Sequence, residues 1–445
     1  MTISSGKQNK IALVSLGCPK NLVNSEEMAA LLQEAGYAFT GAPEEADVAI
    51  VNTCAFIESA KSEAIEKLLE IAALREVNPG LKLIAAGCLA QRYSREIRTE
   101  LPEVDAIIGT GSYSEVVSVV ESVLSGGRPT VCGSISAPLR ELPRAVSTGP
   151  SWAYLRIAEG CDNHCAYCVI PSLRGRFRSR TRESILAEAD RLSRAGVKEL
   201  IIVAQDITRY GTDLYGKHAL ADLLTDLCKM DFRWIRLHYL YPEEIDDELI
   251  GVIAREEKIV KYLDIPIQHI NDAILKRMNR RSTGGEIRAL FKKLRERIPG
   301  LVLRTSLITG LPGEGEAEFE ELCAFLREAR IERAGVFPYS PEEGTRAERM
   351  PDRCTGEEAK RRAELCMDIQ AQIMDEFAAS LIGRELDVLV MGHEEDGTPW
   401  GRSAFDSPDI DGRVVFSGSA QPGEMVKVRI LSADEGDLVG EQEEQ

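Results

Sequence analysis

Three apolar, β-branched runs, at 10–18, 46–54 and 81–88, each close on a turn residue followed by cysteine: Cys18, Cys54 and Cys88. Runs of that length and composition read as buried parallel strands, each with a cysteine at its C-terminal tip. Helical patterns over roughly 25–35 and 60–73 separate them. Strand and helix in alternation build an open parallel α/β sheet, and such sheets gather ligands outside the carboxyl ends of their strands. Three cysteines delivered to that edge converge on one metal site. The competing reading is packing, because free cysteine is a common small core residue.

A second set of cysteines is local. Cys161, Cys165 and Cys168 stand in a C-x3-C-x2-C spacing. Three thiolates so close can hold three irons of a 4Fe-4S cube and leave the fourth open to a small molecule. Structural zinc is the alternative, with His164 as a fourth ligand, but zinc prefers paired C-x2-C knuckles and His164 is badly placed beside Cys165. Disulfides are not expected, since no apolar signal segment follows Met1 and the chain is read as cytoplasmic. Cys132, Cys228, Cys323, Cys354 and Cys366 read as packing residues or surface thiols.

The chain has 445 residues, enough for about three domains at roughly 150 each. No apolar run is long enough to span a bilayer. The expected division is an α/β domain over 1–127, a linker over 128–150, a second α/β domain over 151–380 and a small β-barrel over 381–445. Strand-like runs at 154–157, 199–204, 234–239, 260–265, 302–308 and 334–337 alternate with helical patterns and predict a partial (β/α)6 barrel, its site at the C-terminal strand ends. Cofactor candidates at those ends are Gln205, Asp206, Gln268, Arg304, Thr305 and Gly310; for each the plainer role is a loop hydrogen bond or turn.

A long helical pattern, 356–379, precedes short alternating runs at 385–390, 412–416 and 424–430. That is the small β-barrel. From 381 on there are five basic residues (Arg384, Arg402, Arg413, Lys427, Arg429) against 15 acidic ones, in a chain whose net charge is −18. Nucleic-acid affinity draws on cations that displace phosphate counterions, so direct nucleic-acid binding is not expected and a basic protein partner suits the module better. One basic element runs against the trend. Arg174, Arg176, Arg178, Arg180 and Arg182 alternate, and on an extended segment they would form one row, either gripping phosphate or carboxylate or pairing with the chain's own acids.

The C-x3-C-x2-C run with Tyr167 before its last cysteine resembles the radical S-adenosylmethionine (AdoMet) enzymes, and the second triad narrows the resemblance to the methylthiotransferases. The final barrel resembles a TRAM domain, an OB-like module. The stretches at 17–26, 170–175, 203–211 and 403–412 look like the branch that modifies a protein, whereas the tRNA-modifying branch typically has Gln-Met-Asn after its first cysteine and lacks the arginine row. The resemblance implies two 4Fe-4S clusters and AdoMet. The cluster on Cys161, Cys165 and Cys168 would cleave AdoMet to a radical that takes hydrogen from the β-carbon of an aspartate in the small-subunit ribosomal protein S-twelve. Sulfur would arrive at the cluster on Cys18, Cys54 and Cys88, and a second AdoMet would supply methyl. An electron donor such as flavodoxin or ferredoxin is implied, and loss of the residues after Gly383 is expected to harm substrate modification more than AdoMet cleavage. The alternatives are a tRNA adenosine methylthiotransferase and a non-catalytic iron–sulfur or zinc protein.

Overall fold

The computed structural model describes residues 9–434 and 436–443. The chain forms two compact units. The first runs to Ser147 and takes in Glu159–Asp162 and Cys168–Arg178; the second holds Thr148–Ala158, Asn163–Tyr167 and the described residues from Ser179 on.

In the first unit the order is β1 (Lys10–Ser15), α1 (Pro19–Glu34), β2 (Ala38–Phe39), β3 (Val48–Thr53), α2 (Glu58–Ala73), β4 (Lys82–Gly87), α3 (Cys88–Arg92), α4 (Ser94–Glu100), β5 (Ala106–Gly109), α5 (Val116–Leu124) and β6 (Thr130–Val131). The strands form one parallel sheet in the order β2-β1-β3-β4-β5-β6. Alternate residues serve two cores. Ala49, Val51, Leu83 and Ala85 meet Leu68 and Ile71 of α2, while Val48, Ile50, Ile84 and Ile108 meet Met28 and Leu32 of α1 and Val120 of α5. Burial on both faces is why these strands read as continuous apolar runs. The strand order reverses between β1 and β3, and such a switch point leaves a crevice at the carboxyl ends. Residues 128–147, expected as a linker, are folded onto this unit: β6 extends the sheet, and buried Glu26 accepts from the Ser147 backbone and hydroxyl at 2.7 Å and from Arg144 Nε at 2.6 Å.

The second unit begins with β7 (Trp152–Arg156). Short strands β8 (Ala158–Glu159) and β9 (Arg178–Ser179) form a separate two-stranded sheet, and the helix α6 (Ile170–Arg174) lies between them in sequence, in the first unit. There follow α7 (Arg182–Arg194), β10 (Glu199–Val203), α8 (Leu220–Leu227), β11 (Trp234–Leu237), α9 (Asp247–Arg255), β12 (Ile259–Asp264), α10 (Asp272–Arg277), α11 (Gly284–Arg297), β13 (Val302–Thr309), α12 (Glu316–Ala329), β14 (Arg333–Pro338) and α13 (Gly356–Ala379). The strands β7, β10, β11, β12, β13 and β14 pair in sequence order, all parallel, with β7 and β14 as edges. This is the open (β/α)6 barrel.

The C-terminal strands β15 (Glu385–His393), β16 (Pro399–Ser403), β17 (Val414–Ser417), β18 (Met425–Asp434) and β19 (Asp437–Gln442) close a five-stranded barrel. Its core is Val388, Val390, Val414, Phe416, Val428 and Ile430. The sequence pattern marks β15, β17 and β18 but hides β16, which opens on Pro399 and carries Gly401, and β19.

This small barrel forms the floor of the open one. Leu389 packs with Trp234, Val260, Tyr262 and Val302 at the N-terminal ends of β11, β12 and β13. Segment 403–411 brings Asp406 to Arg333 at 2.7 Å, Ser407 to His238 at 2.9 Å and Asp411 to the Tyr262 hydroxyl at 2.6 Å. Glu199, the first residue of β10, lies between Arg236 and Arg402 at 2.6 Å from each. These groups are buried, and an unpaired buried charge is costly. Cutting the chain at Gly383 would strip partners from Glu199, Tyr262 and Arg333 inside the open barrel.

Candidate metal centres

Cys18, Cys54 and Cys88 follow β1, β3 and β4, and the first unit brings them together. Gly17, before Cys18, adopts φ +86° and packs against Cys54; a Cβ there would stand 2.6 Å from the Cys54 Cβ, so this close approach of two strand tips needs glycine. Asn21, one turn into α1, donates to the carbonyls of Leu16 at 2.9 Å and Thr53 at 3.0 Å, tying the tips of β1 and β3 together. Its Oδ1 faces Cys88 Sγ at 3.9 Å and accepts from Arg174 Nη2 at 2.5 Å. Arg174 also donates to Asn24 Oδ1 at 2.7 Å and reaches Glu159 at 3.3 Å.

The three thiols differ electrostatically. Burial pushes Cys54 up to about 12, aided by the neighbouring Cys18 and Cys88. Burial likewise raises Cys88, with Arg174 opposing. For Cys18 burial is outweighed by Lys20, Arg174 and the Asn21 and Lys20 backbone amides, and its thiol falls below the ordinary range. A thiolate ligand set with a buried guanidinium and an ammonium beside it suits an anionic cluster.

The C-x3-C-x2-C loop follows β7, at the C-terminal end of the strands. Cys161 and Cys168 belong to the first unit and Cys165 to the second. Cys165 is buried, with its sulfur 2.8 Å from the Tyr241 hydroxyl and 3.8 Å from Arg280 Nη1. The Arg280 guanidinium stacks over the Tyr241 ring at 4.1 Å, and its Nη2 donates to Pro266 O at 2.8 Å. A buried cation and a hydroxyl aimed at one sulfur fit a metal-bound thiolate. All 11 cysteines are free; Cys323 and Cys366, read as packing residues, sit 3.9 Å apart between α12 and α13.

The cofactor candidates are scattered over the open barrel. Gln205 and Asp206 follow β10, and buried Asp206 accepts from Thr208 N at 3.0 Å and from Asn163 Nδ2, in the cysteine loop, at 2.8 Å; burial raises its carboxyl. Gln268, beyond β12, has φ +72° and bridges β13 through its backbone. Arg304 and Thr305, expected at a strand tip, lie instead in the first half of β13: Arg304 pairs with Asp264 at 2.7 Å and Thr305 donates to Ile265 O at 2.8 Å. Gly310 has φ +74°, and a Cβ there would come 2.4 Å from Ala359 of α13, so packing explains this glycine.

The arginine row does not form a face. The chain leaves α6 at Arg174, turns at Gly175 and enters α7 at Arg182, so the side chains diverge. Arg180 pairs with Glu188 at 2.5 Å, Arg182 pairs with Asp226, and Arg176, 84% exposed, stands 3.7 Å from Asp162. Pairing with the chain's own acids accounts for Arg180 and Arg182, while Arg178 donates to the backbone carbonyls of Arg174, Arg176 and Ala137. Asn21 and the separate part played by Arg174 escaped the sequence reading, though Asn21 lies three residues after Cys18.

Comparison with known proteins agrees with this architecture. Family models match for the uncharacterized protein family UPF0004 over residues 10–109, the Radical SAM superfamily over 155–326 and the TRAM domain over 382–442. Among solved structures, the radical S-adenosylmethionine methyltransferase TsrM from Kitasatospora setae shares the fold at TM-score 0.54 and 14% identity, over 74% of this chain and 73% of that one. The protein is a radical S-adenosylmethionine methylthiotransferase. The "Ribosomal protein uS12 methylthiotransferase RimO" of Caldanaerobacter subterraneus subsp. tengcongensis is 49% identical, over 97% of this chain and 99% of its own. Those of Pelotomaculum thermopropionicum and Geobacter sulfurreducens are 48% and 47% identical, over 97% and 98% of this chain and 99% of each of theirs. The chain belongs to the RimO family.

Proposed function

We propose that this enzyme methylthiolates the β-carbon of an aspartate in the small-subunit ribosomal protein S-twelve, using two 4Fe-4S clusters. The observation that carries the two-cluster reading is the convergence of Cys18, Cys54 and Cys88 around Asn21 and Arg174, a set of cysteines different from those of the C-x3-C-x2-C loop. The substrate is that printed in the names of the relatives.

Cys161, Cys165 and Cys168 would hold one cluster, Cys18, Cys54 and Cys88 the other. With AdoMet bound, these groups supply the one-electron and sulfur chemistry needed to replace an unactivated C–H hydrogen, which no side-chain acid or base can do. The chain's own residues orient and shield. Arg280 and Tyr241 fix Cys165, and Asn163 couples the cysteine loop to Asp206. Gln205, Asp206, Gln268, Arg304 and Thr305 remain the candidates for contact with AdoMet, Asp206 foremost by its place beside the loop, while the close approach to Ala359 accounts for Gly310.

The C-terminal barrel supports a protein substrate over tRNA. Arg402 is buried on Glu199, Arg413 pairs with Glu394 and Asp437, Lys427 with Glu385 and Asp387, and Arg429 with Glu443. Few cations remain for phosphate, and counterion release has little to draw on. The test offers ribosomal protein and tRNA together to the reduced, reconstituted enzyme and weighs the products. A methylthio-aspartate is expected; methylthio-adenosine with unmodified protein would overturn the reading.

A further inference from the structure

We propose that Arg174 is a positioning residue for the sulfur centre of Cys18, Cys54 and Cys88, supplying the fixed positive charge that holds an anionic cluster there. The inference rests on the two-cluster reading above. Arg174 is 3% exposed. Its strong hydrogen bonds go to neutral acceptors, Asn21 Oδ1 at 2.5 Å and Asn24 Oδ1 at 2.7 Å, whereas its one carboxylate partner among the described residues, Glu159, stands off at 3.3 Å. A buried guanidinium solvated mainly by amides is left short of negative charge, and burial makes that shortage expensive.

The sulfurs are where the missing charge belongs. Asn21 Oδ1 is shared between the guanidinium and Cys88 Sγ, so the two groups flank one oxygen. The same Asn21 ties the tips of β1 and β3, which carry Cys18 and Cys54, through the carbonyls of Leu16 and Thr53. Three thiolates on a buried cluster carry net negative charge, which hydrogen bonds and nearby cations tune. Arg174 also lies six residues after Cys168, on α6. The segment that supplies ligands for one cluster therefore supplies the counter-charge for the other.

The experiment compares the full-length wild type with R174Q, R174K and C18A, each reconstituted anaerobically, by iron and sulfide content and by redox titration followed by electron paramagnetic resonance. A cation beside a cluster favours its more negative, reduced form. R174Q, which keeps donors but loses charge, should therefore shift the second cluster to more negative potential or lose it, falling from about eight irons toward about four, the count of a single cube. R174K should keep its iron and a potential close to that of the wild type. Wild-type protein with about four irons would overturn the two-cluster reading and this inference with it. Wild type with about eight irons and an R174Q protein of unchanged iron and potential would overturn the role of Arg174 alone. If R174Q does not fold, R174K decides: iron loss as complete as in C18A, despite the retained charge, would refute the electrostatic role.

Discussion

Replacing Glu199 by Ala should destabilise the second unit by about 3–5 kcal/mol, the usual cost of removing one partner from a buried ion pair. Its two oxygens each accept a charge-assisted hydrogen bond at 2.6 Å, from Arg236 Nε and Arg402 Nη2. At about 1.5–3 kcal/mol per bond the two together give about 3–6 kcal/mol, which spans that range. No substitute acceptor is at hand: Arg236 Nη2 and Arg402 Nε are already buried without a partner, and the other donors are committed to Ala404 O and Asp406 O. For a unit of this size about 2 °C accompanies each kcal/mol, so the melting temperature should fall by about 6–10 °C. The pH dependence has a definite sign. Burial opposes ionisation of Glu199, but the two guanidiniums prevail and its folded value lies below the ordinary one, so its stabilisation is present above about pH 4.3 and is lost as pH falls through the folded value. The gap between wild type and E199A should thus be constant from neutral pH to about pH 4 and close only below it. Replacing Glu199, Arg236 and Arg402 together by Met should recover most of the loss, since a buried triad gains little over apolar packing. Differential scanning calorimetry of the three proteins decides. An E199A protein melting within about 2 °C of wild type, or a triple variant no better than E199A, would refute the reasoning.

Gly310→Ala should cost about 2–4 kcal/mol from positive φ and overpacking against Ala359, with the apparent affinity for AdoMet little changed in the folded fraction; a shift in affinity without loss of stability would return Gly310 to ligand contact. Cys18→Ala should still yield 5'-deoxyadenosine under strong reductant while forming no methylthio product, and Cys165→Ala should do neither; equal loss of cleavage in well-folded Cys18→Ala would contradict the division of labour between the two centres.

The sequence by itself determined what local patterning encodes. Strands buried on both faces show as continuous apolar runs, and a turn residue with a cysteine after each run places Cys18, Cys54 and Cys88 at one sheet edge. The C-x3-C-x2-C spacing needs no tertiary information at all, and α13 is visible from its period. Tertiary structure decided the pairings. An alternating arginine row looks extended on paper, yet Arg174 ends a helix and finds Asn21 and Asn24 about 150 residues away in sequence, a relation no local period reports. Glu199 and Arg402, 203 residues apart, settle the same point for the C-terminal barrel. Composition marks that barrel as acidic and separate in pattern; only the fold turns its 403–411 segment into the floor of the open barrel, because buried charges in one element must find their counter-charges in another.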